Sequence, residues 1–151
     1  VQKETERILG LDAPKKKMSK SAASQNNYIG LLDSPTEIRR KIKIAVTDSG
    51  KEVRYDEKQK PAISNLMAIY NVFSGLSISG IEKKYKGKGY AEFKNDLAEL
   101  LVEKLAPIQK KYQELIKDKK TVLKTLKQGA EQANKVAKNT LASVKKKVGL
   151  L

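Results

Sequence analysis

Cysteine and histidine are both missing from the 151 residues. Without cysteine, disulfides and thiolate metal sites are excluded, and without histidine the common zinc arrangements go too. Arginine is scarce: Arg7, Arg39, Arg40 and Arg54 are the only ones among 32 basic residues. No apolar run approaches the length of a membrane span or a signal-peptide core, so no membrane partner is expected. A soluble chain in a reducing cytoplasm is the expectation. There is no G-x-G-x-x-G and no strand–helix alternation, so nothing predicts a Rossmann-type nucleotide fold.

What is present is lysine. The formal charge is +15, which attracts polyanions and makes nucleic acid the natural partner. Specific readers of phosphate and bases usually lean on arginine forks, so a lysine excess of purely compositional origin is the competing explanation. Apolar residues make up 39% of the chain, enough for a modest core under a charged surface. A domain of this length hides about 70% of its unfolded surface.

The chemistry concentrates in Lys15-Lys16-Lys17-Met18-Ser19-Lys20-Ser21, just after Pro14. Proline fixes its own φ and disfavours helix for the residue before it, so the run should begin in a loop. Lysine ammonium groups, serine hydroxyls and backbone N–H groups on such a loop can follow the oxygens of a polyphosphate. A lysine run is also an ordinary solvated surface.

The rest reads as helices. Ser24 or Asn26 caps a short helix carrying Tyr28, Ile29, Leu31 and Leu32. Ser34-Pro35-Thr36-Glu37 starts another with a capping box; Ile38, Ile42 and Ala45 form its apolar face, Arg39, Arg40, Lys41 and Lys43 lie mostly off that face, and residues 47–50 end it. Pro61 opens the most apolar helix, in which Ile63, Leu66, Met67, Tyr70 and Phe73 are core. Gly75 and Ser77 punctuate before a short helix ending near Tyr85. Lysines 83, 84, 86 and 88 surround Tyr85 and Tyr90, an arrangement that suits unstacked bases or, alternatively, an anchor for the next helix. The longest helix runs from about Tyr90 to Lys117 with a kink at Pro107. A short helix ending at Gly129 and a last one striped by Ala133, Ala137, Leu141, Val144 and Val148 complete an all-α fold. Ile8, Leu9 and Leu11 have little to pack against.

Lys17-Met18-Ser19-Lys20-Ser21 spells the signature of class I aminoacyl-tRNA synthetases. Downstream, Tyr28-Ile29-Gly30-Leu31-Leu32-Asp33, Ala45-Val46-Thr47-Asp48-Ser49, Arg54-Tyr55-Asp56, Lys60-Pro61 and Gly87-Lys88-Gly89-Tyr90 resemble the bacterial tryptophanyl-tRNA synthetases. The resemblance covers nearly the whole chain. It implies a C-terminal piece starting just before the signature loop, without the family's nucleotide-binding fold. Residues 1–24 would be connector and loop, and 25–151 a small helical bundle that receives the tRNA anticodon. Lys17 and Lys20 would be catalytic. Ile8, Lys17, Met18, Ser19, Lys20 and Ser21 would meet ATP, Ile8 through its backbone to the adenine. Arg39, Arg40, Arg54 and Lys60 would face tRNA(Trp), though Asp48 and Asp56 nearby read better as caps and inter-helix hydrogen bonds. By the same resemblance ATP enters as substrate, with Mg2+ held mainly by its own oxygens, so no protein metal site is expected. The whole enzyme would be a homodimer and this piece a monomer unable to activate tryptophan alone. Ala22 stands where the family usually has aspartate, which puts loop order in question. The rival readings are a non-enzymatic basic helical nucleic-acid-binding protein and a structural module that holds a partner.

Overall fold

The computed structural model describes residues 7–150, so the first six residues of the expected connector lie outside the described residues. Among the described residues the elements are a 3-10 turn, Gln25–Asn27, and the helices α1 (Pro35–Ile44), α2 (Pro61–Ser74), α3 (Ile78–Lys84), α4 (Tyr90–Lys117) and α5 (Lys119–Lys147). No strand forms among them; a single antiparallel bridge joins Leu9 and Lys17. The all-α expectation holds. The chain divides into two compact units, Val1–Gln109 and Lys110–Leu151.

The first unit is built around α2. Its start follows from Pro61 at the first helical position and its end from Gly75, whose φ of 74° is the left-handed conformation that glycine adopts without a Cβ penalty. Ile63, Leu66, Met67 and Tyr70 are buried as expected, against Ile38 and Ile42 from α1, Ile81 from α3 and Phe93, Leu97, Leu101 and Leu105 from α4. Tyr70, Tyr85 and Phe93 form an aromatic cluster with ring centroids 5.0 to 5.9 Å apart. The Tyr85 hydroxyl donates to Asp96 at 2.6 Å. Tyr85 is thus core rather than a platform for bases. Tyr90 anchors the start of α4, as described below.

Several expectations need correction. Residues 28–33 are not helical: Gly30 N–H donates to the Asp33 carboxylate and Asp33 N–H to Gly30 C=O, which closes a turn instead. Ser34 does cap α1, accepting from Glu37 N–H, but the Glu37 carboxylate turns to Arg40 and makes no reciprocal box. Helix α1 ends at Ile44, before residues 47–50. Lys41 is not on the solvent side; its side chain is 3% exposed and reaches Asp33 at 2.7 Å with its ammonium over the Tyr28 ring. Leu11 is buried and Ile8 packs on the core. Leu11 is held by backbone bonds to Asn27 and Val46.

The second unit contains the end of α4 and all of α5. Pro107 sits inside α4, which continues through it. Asp118 caps α5, accepting from Thr121 N–H. Helix α5 then runs without a break through Gly129, and its 29 residues exceed the 28 of α4. One continuous helix therefore replaces the two expected. Its apolar positions repeat every three or four residues from Val122 to Val148, and an interior glycine disfavours helix by only roughly 1 kcal/mol, which the many good helix formers around it (lysine, alanine, leucine, glutamine) can offset. None of its residues is buried.

Candidate functional site

The signature run sits on a tight loop fastened at both ends. Gly10 N–H donates to Lys16 C=O and Met18 N–H to Ile8 C=O, and the bonds Ala13 N–H to Gly10 C=O and Lys16 N–H to Ala13 C=O fold the tip between. Pro14 lies in that tip, where its fixed φ suits a turn and no N–H is required. Met18 packs its side chain on the core. Lys15, Lys16, Lys17 and Lys20 are exposed.

Beyond Met18 the loop closes on itself through serine. Ser21 N–H donates to Ser19 Oγ, the two hydroxyls lie 3.1 Å apart, and Ala22 N–H donates to Ser19 C=O. The turn thus forms with Ala22 in place, needing no aspartate there. Four exposed lysines and two neighbouring hydroxyls on one short loop supply donors that can gather several phosphate oxygens.

Two buried asparagines, which sequence reasoning missed, tie this loop to the helices. Asn65 of α2 grips the backbone of Leu9 with both ends of its amide, accepting from Leu9 N–H at 2.8 Å and donating to Leu9 C=O at 2.9 Å. Asn27, 5% exposed, accepts from Ser19 N–H at 2.9 Å and donates to Asp12 at 2.6 Å. That hydrogen bond, with help from Ser24, holds the Asp12 carboxyl below the usual carboxylate range. A Cβ on Gly10 would overlap the Asn27 amide. A groove of about 570 Å³ runs beside the loop, lined by Arg7, Lys15, Lys58, Glu57, Tyr55 and Asn65 among others.

The remaining predicted site residues are not gathered there. Arg39 makes a two-bonded pair with Glu99, and Arg40 binds Glu37 and Asn26. Arg54 lies 3.7 to 3.8 Å from Asp56 and Glu52. Lys60 donates to Tyr90 Oη at 2.9 Å, to Glu52 C=O and to Asp48. The Tyr90 hydroxyl in turn donates to the Asp48 carboxylate. Burial works to raise the Asp48 pKa, but Tyr90, Gly50 N–H and Lys60 together hold it below its ordinary value. Asp56 accepts from Lys58 and Gln59 N–H. Both aspartates therefore carry structural bonds. Among the described residues no group of three or more candidate ligands is placed to hold a metal ion. No single helix among them is long and apolar enough to cross a membrane.

Residues 3–106 match the family described as tRNA synthetases class I (W and Y). The chain belongs to that family. Among its relatives, the tryptophan–tRNA ligase of Caldanaerobacter subterraneus is 49% identical over 145 residues, 96% of this chain and 44% of the relative. That of Bacillus subtilis is 47% identical over 144 residues, 95% of this chain and 43% of the relative. The crystal structure of tryptophanyl-tRNA synthetase from Mycoplasma pneumoniae superimposes with a TM-score of 0.86 at 32% identity, covering 99% of this chain and 45% of that one. The chain therefore spans less than half the length of these class I synthetases. The resemblance read from the sequence and these relatives agree.

Proposed function

We propose that this chain is the C-terminal part of a tryptophan–tRNA ligase, supplying its phosphate-handling loop and its tRNA-facing helices. The observation that carries the reading is the signature Lys17–Ser21 on an exposed, internally bonded loop, in a chain 49% identical to a tryptophan–tRNA ligase. In the reaction the tryptophan carboxylate attacks the α-phosphate of ATP, the bond to pyrophosphate breaks, and negative charge builds on the leaving group. Cations that tighten on that charge lower the barrier, whereas a grip equal in ground and transition states would not raise turnover. Lys17 and Lys20 are those cations. Ser19 and Ser21 donate to phosphate or brace the loop, Met18 anchors it, and the Ile8 backbone meets the adenine. Magnesium, carried on ATP, supplies further neutralisation of the phosphates.

Residues 1–24 act as connector and loop, and residues 25–151 as the tRNA(Trp)-binding helices. Arg39, Arg40 and Arg54 are exposed and face RNA by exchanging their present carboxylate partners. Lys60 contributes by holding the segment between α1 and α2 through Asp48 and Tyr90. The whole ligase is a cytoplasmic homodimer, and this part alone is a monomer.

The test has two arms. The 151-residue chain should show no ATP–pyrophosphate exchange. The complete ligase should show tryptophan-dependent exchange that Lys17→Ala or Lys20→Ala reduces mainly in kcat. Binding of tRNA(Trp) should exceed that of an unrelated tRNA at moderate salt; equal affinities that collapse together with salt would favour a basic helical nucleic-acid-binding protein instead.

A further inference from the structure

We propose that Asn27 is a positioning residue for this reaction: its buried amide spans Asp12 and Ser19 and sets where Lys17 and Lys20 stand. The inference rests on the ligase reading above and adds a residue to it. The bonds that close the 19–22 turn are all internal to the loop, so they fix its shape and not its place. Its place depends on bonds that cross to other segments. Among the described residues those include Gly10 N–H to Lys16 C=O, Met18 N–H to Ile8 C=O and Ser19 N–H to Asn27 Oδ1, and only the last falls between the two signature lysines. Ser19 lies between the two signature lysines, so an amide that holds its N–H holds both lysine backbones to within two residues.

The direction of the amide is fixed chemically. Asp12 is held below the usual carboxylate range and stays ionised, so it only accepts. Asn27 must therefore turn its Nδ2 toward Asp12, which leaves Oδ1 for Ser19 N–H. The Asn27 C=O also takes Leu11 N–H, so the residue's amide and carbonyl both serve the connector and the loop. Gly10, where a Cβ would overlap that amide, lets the backbone come close enough. Because the cations must tighten on the leaving group during reaction, a displacement near 1 Å can cost about a hundredfold in rate.

The bridge makes a sharp test possible through polarity. Asn27→Asp puts two carboxylates face to face and should open the bridge. Asp12→Asn keeps an acceptor but also brings a donor, so it no longer fixes the direction of the Asn27 amide and should loosen the bridge less than Asn27→Asp does. The double exchange Asp12→Asn with Asn27→Asp rebuilds the bridge with its donor reversed and still offers Ser19 N–H a carboxylate oxygen. In the 151-residue chain, amide hydrogen exchange at Ser19 should speed up about tenfold or more in Asn27→Asp and return to the parent rate in the double exchange. In the complete ligase, kcat for pyrophosphate exchange should fall about tenfold to a hundredfold in Asn27→Asp, with the KM for ATP changed less than about threefold, and the double exchange should recover it.

An unchanged Ser19 rate in Asn27→Asp, or a double exchange no better than the single one, overturns the inference while leaving the ligase reading intact. An unsubstituted complete ligase without tryptophan-dependent exchange overturns the ligase reading. The Ser19 rates then show whether the bridge itself exists.

Discussion

Helices α2 and α5 both carry an apolar stripe at helical spacing, yet they end in opposite circumstances. In the Val1–Gln109 unit, α2 has ten consecutive residues buried, Ala62 through Asn71. In the Lys110–Leu151 unit, α5 has none, and Leu123, Leu126, Val136 and Val148 are each more than 60% exposed. A stripe states which face of a helix is apolar. Whether that face is covered depends on other segments arriving over it, and for α2 those come from α1, α3 and α4. Lys41, Lys60 and Lys84 in the first unit have carboxylate partners, whereas α5 carries nine lysines against one glutamate.

The largest effect that sharpens this comparison is a pair of truncations. Phe93 is fully buried between Tyr70 and Tyr85, so Phe93→Ala should cost about 3 to 5 kcal/mol in urea unfolding. Leu126→Ala on α5 should stay within about 0.5 kcal/mol. A cost for Leu126 equal to that for Phe93 would mean that α5 is covered in solution and would break the contrast.

A smaller effect tests the polar side of the first unit. Tyr90→Phe removes the hydroxyl that donates to Asp48 and accepts from Lys60, and both partners retain some exposure. A loss of about 1 to 2 kcal/mol near neutral pH is expected, the lower part of the range for stranding buried polar groups. The pH dependence follows by linkage. Asp48 is held below its ordinary 3.8 in the folded chain. Its contribution is therefore fully present above that value and is lost as pH falls through the lower folded value. Tyr90→Phe should shift the acid-unfolding midpoint upward, measured by circular dichroism. No change in that midpoint would mean that the bond to Tyr90 is not what depresses Asp48.

Much of this was legible from residue spacing and much was not, for physical reasons. Ser34 acts through its own hydroxyl on an N–H three residues on, and Pro35, Pro61 and Gly75 through their own backbones, so their neighbours in sequence suffice to place them. The apolar steps of α2 likewise carry their own period. Lys41 reads as a surface residue because nothing local announces that Asp33 and the Tyr28 ring receive its ammonium. Residues 28–33 hold enough apolar side chains for a helix, but the two Gly30–Asp33 bonds win locally. The lysines and serines of the candidate site were visible as chemistry. Asn27 and Asn65 were not, since an amide that grips a backbone 8 or 56 residues away has no period and no characteristic neighbour. The placement of the loop thus depends on residues that look like ordinary polar filler.

The finest test of the comparison uses two glycines. Gly129 was expected to end a helix and instead lies inside α5, where a Cβ would meet nothing within 4 Å. Gly129→Ala should therefore raise the helical stability of α5 by about 0.8 to 1 kcal/mol, since alanine forgoes less backbone entropy there and fits the open side of the helix. The same open space surrounds Gly75, but its φ of 74° changes the sign. Gly75→Ala should destabilise the first unit by about 1 to 2 kcal/mol, because the penalty comes from the left-handed backbone and not from crowding. Amide exchange along α5 measures the first change and urea unfolding the second. A stabilising Gly75→Ala would remove the left-handed cap from α2, and a destabilising Gly129→Ala would restore the break between two helices that the sequence suggested.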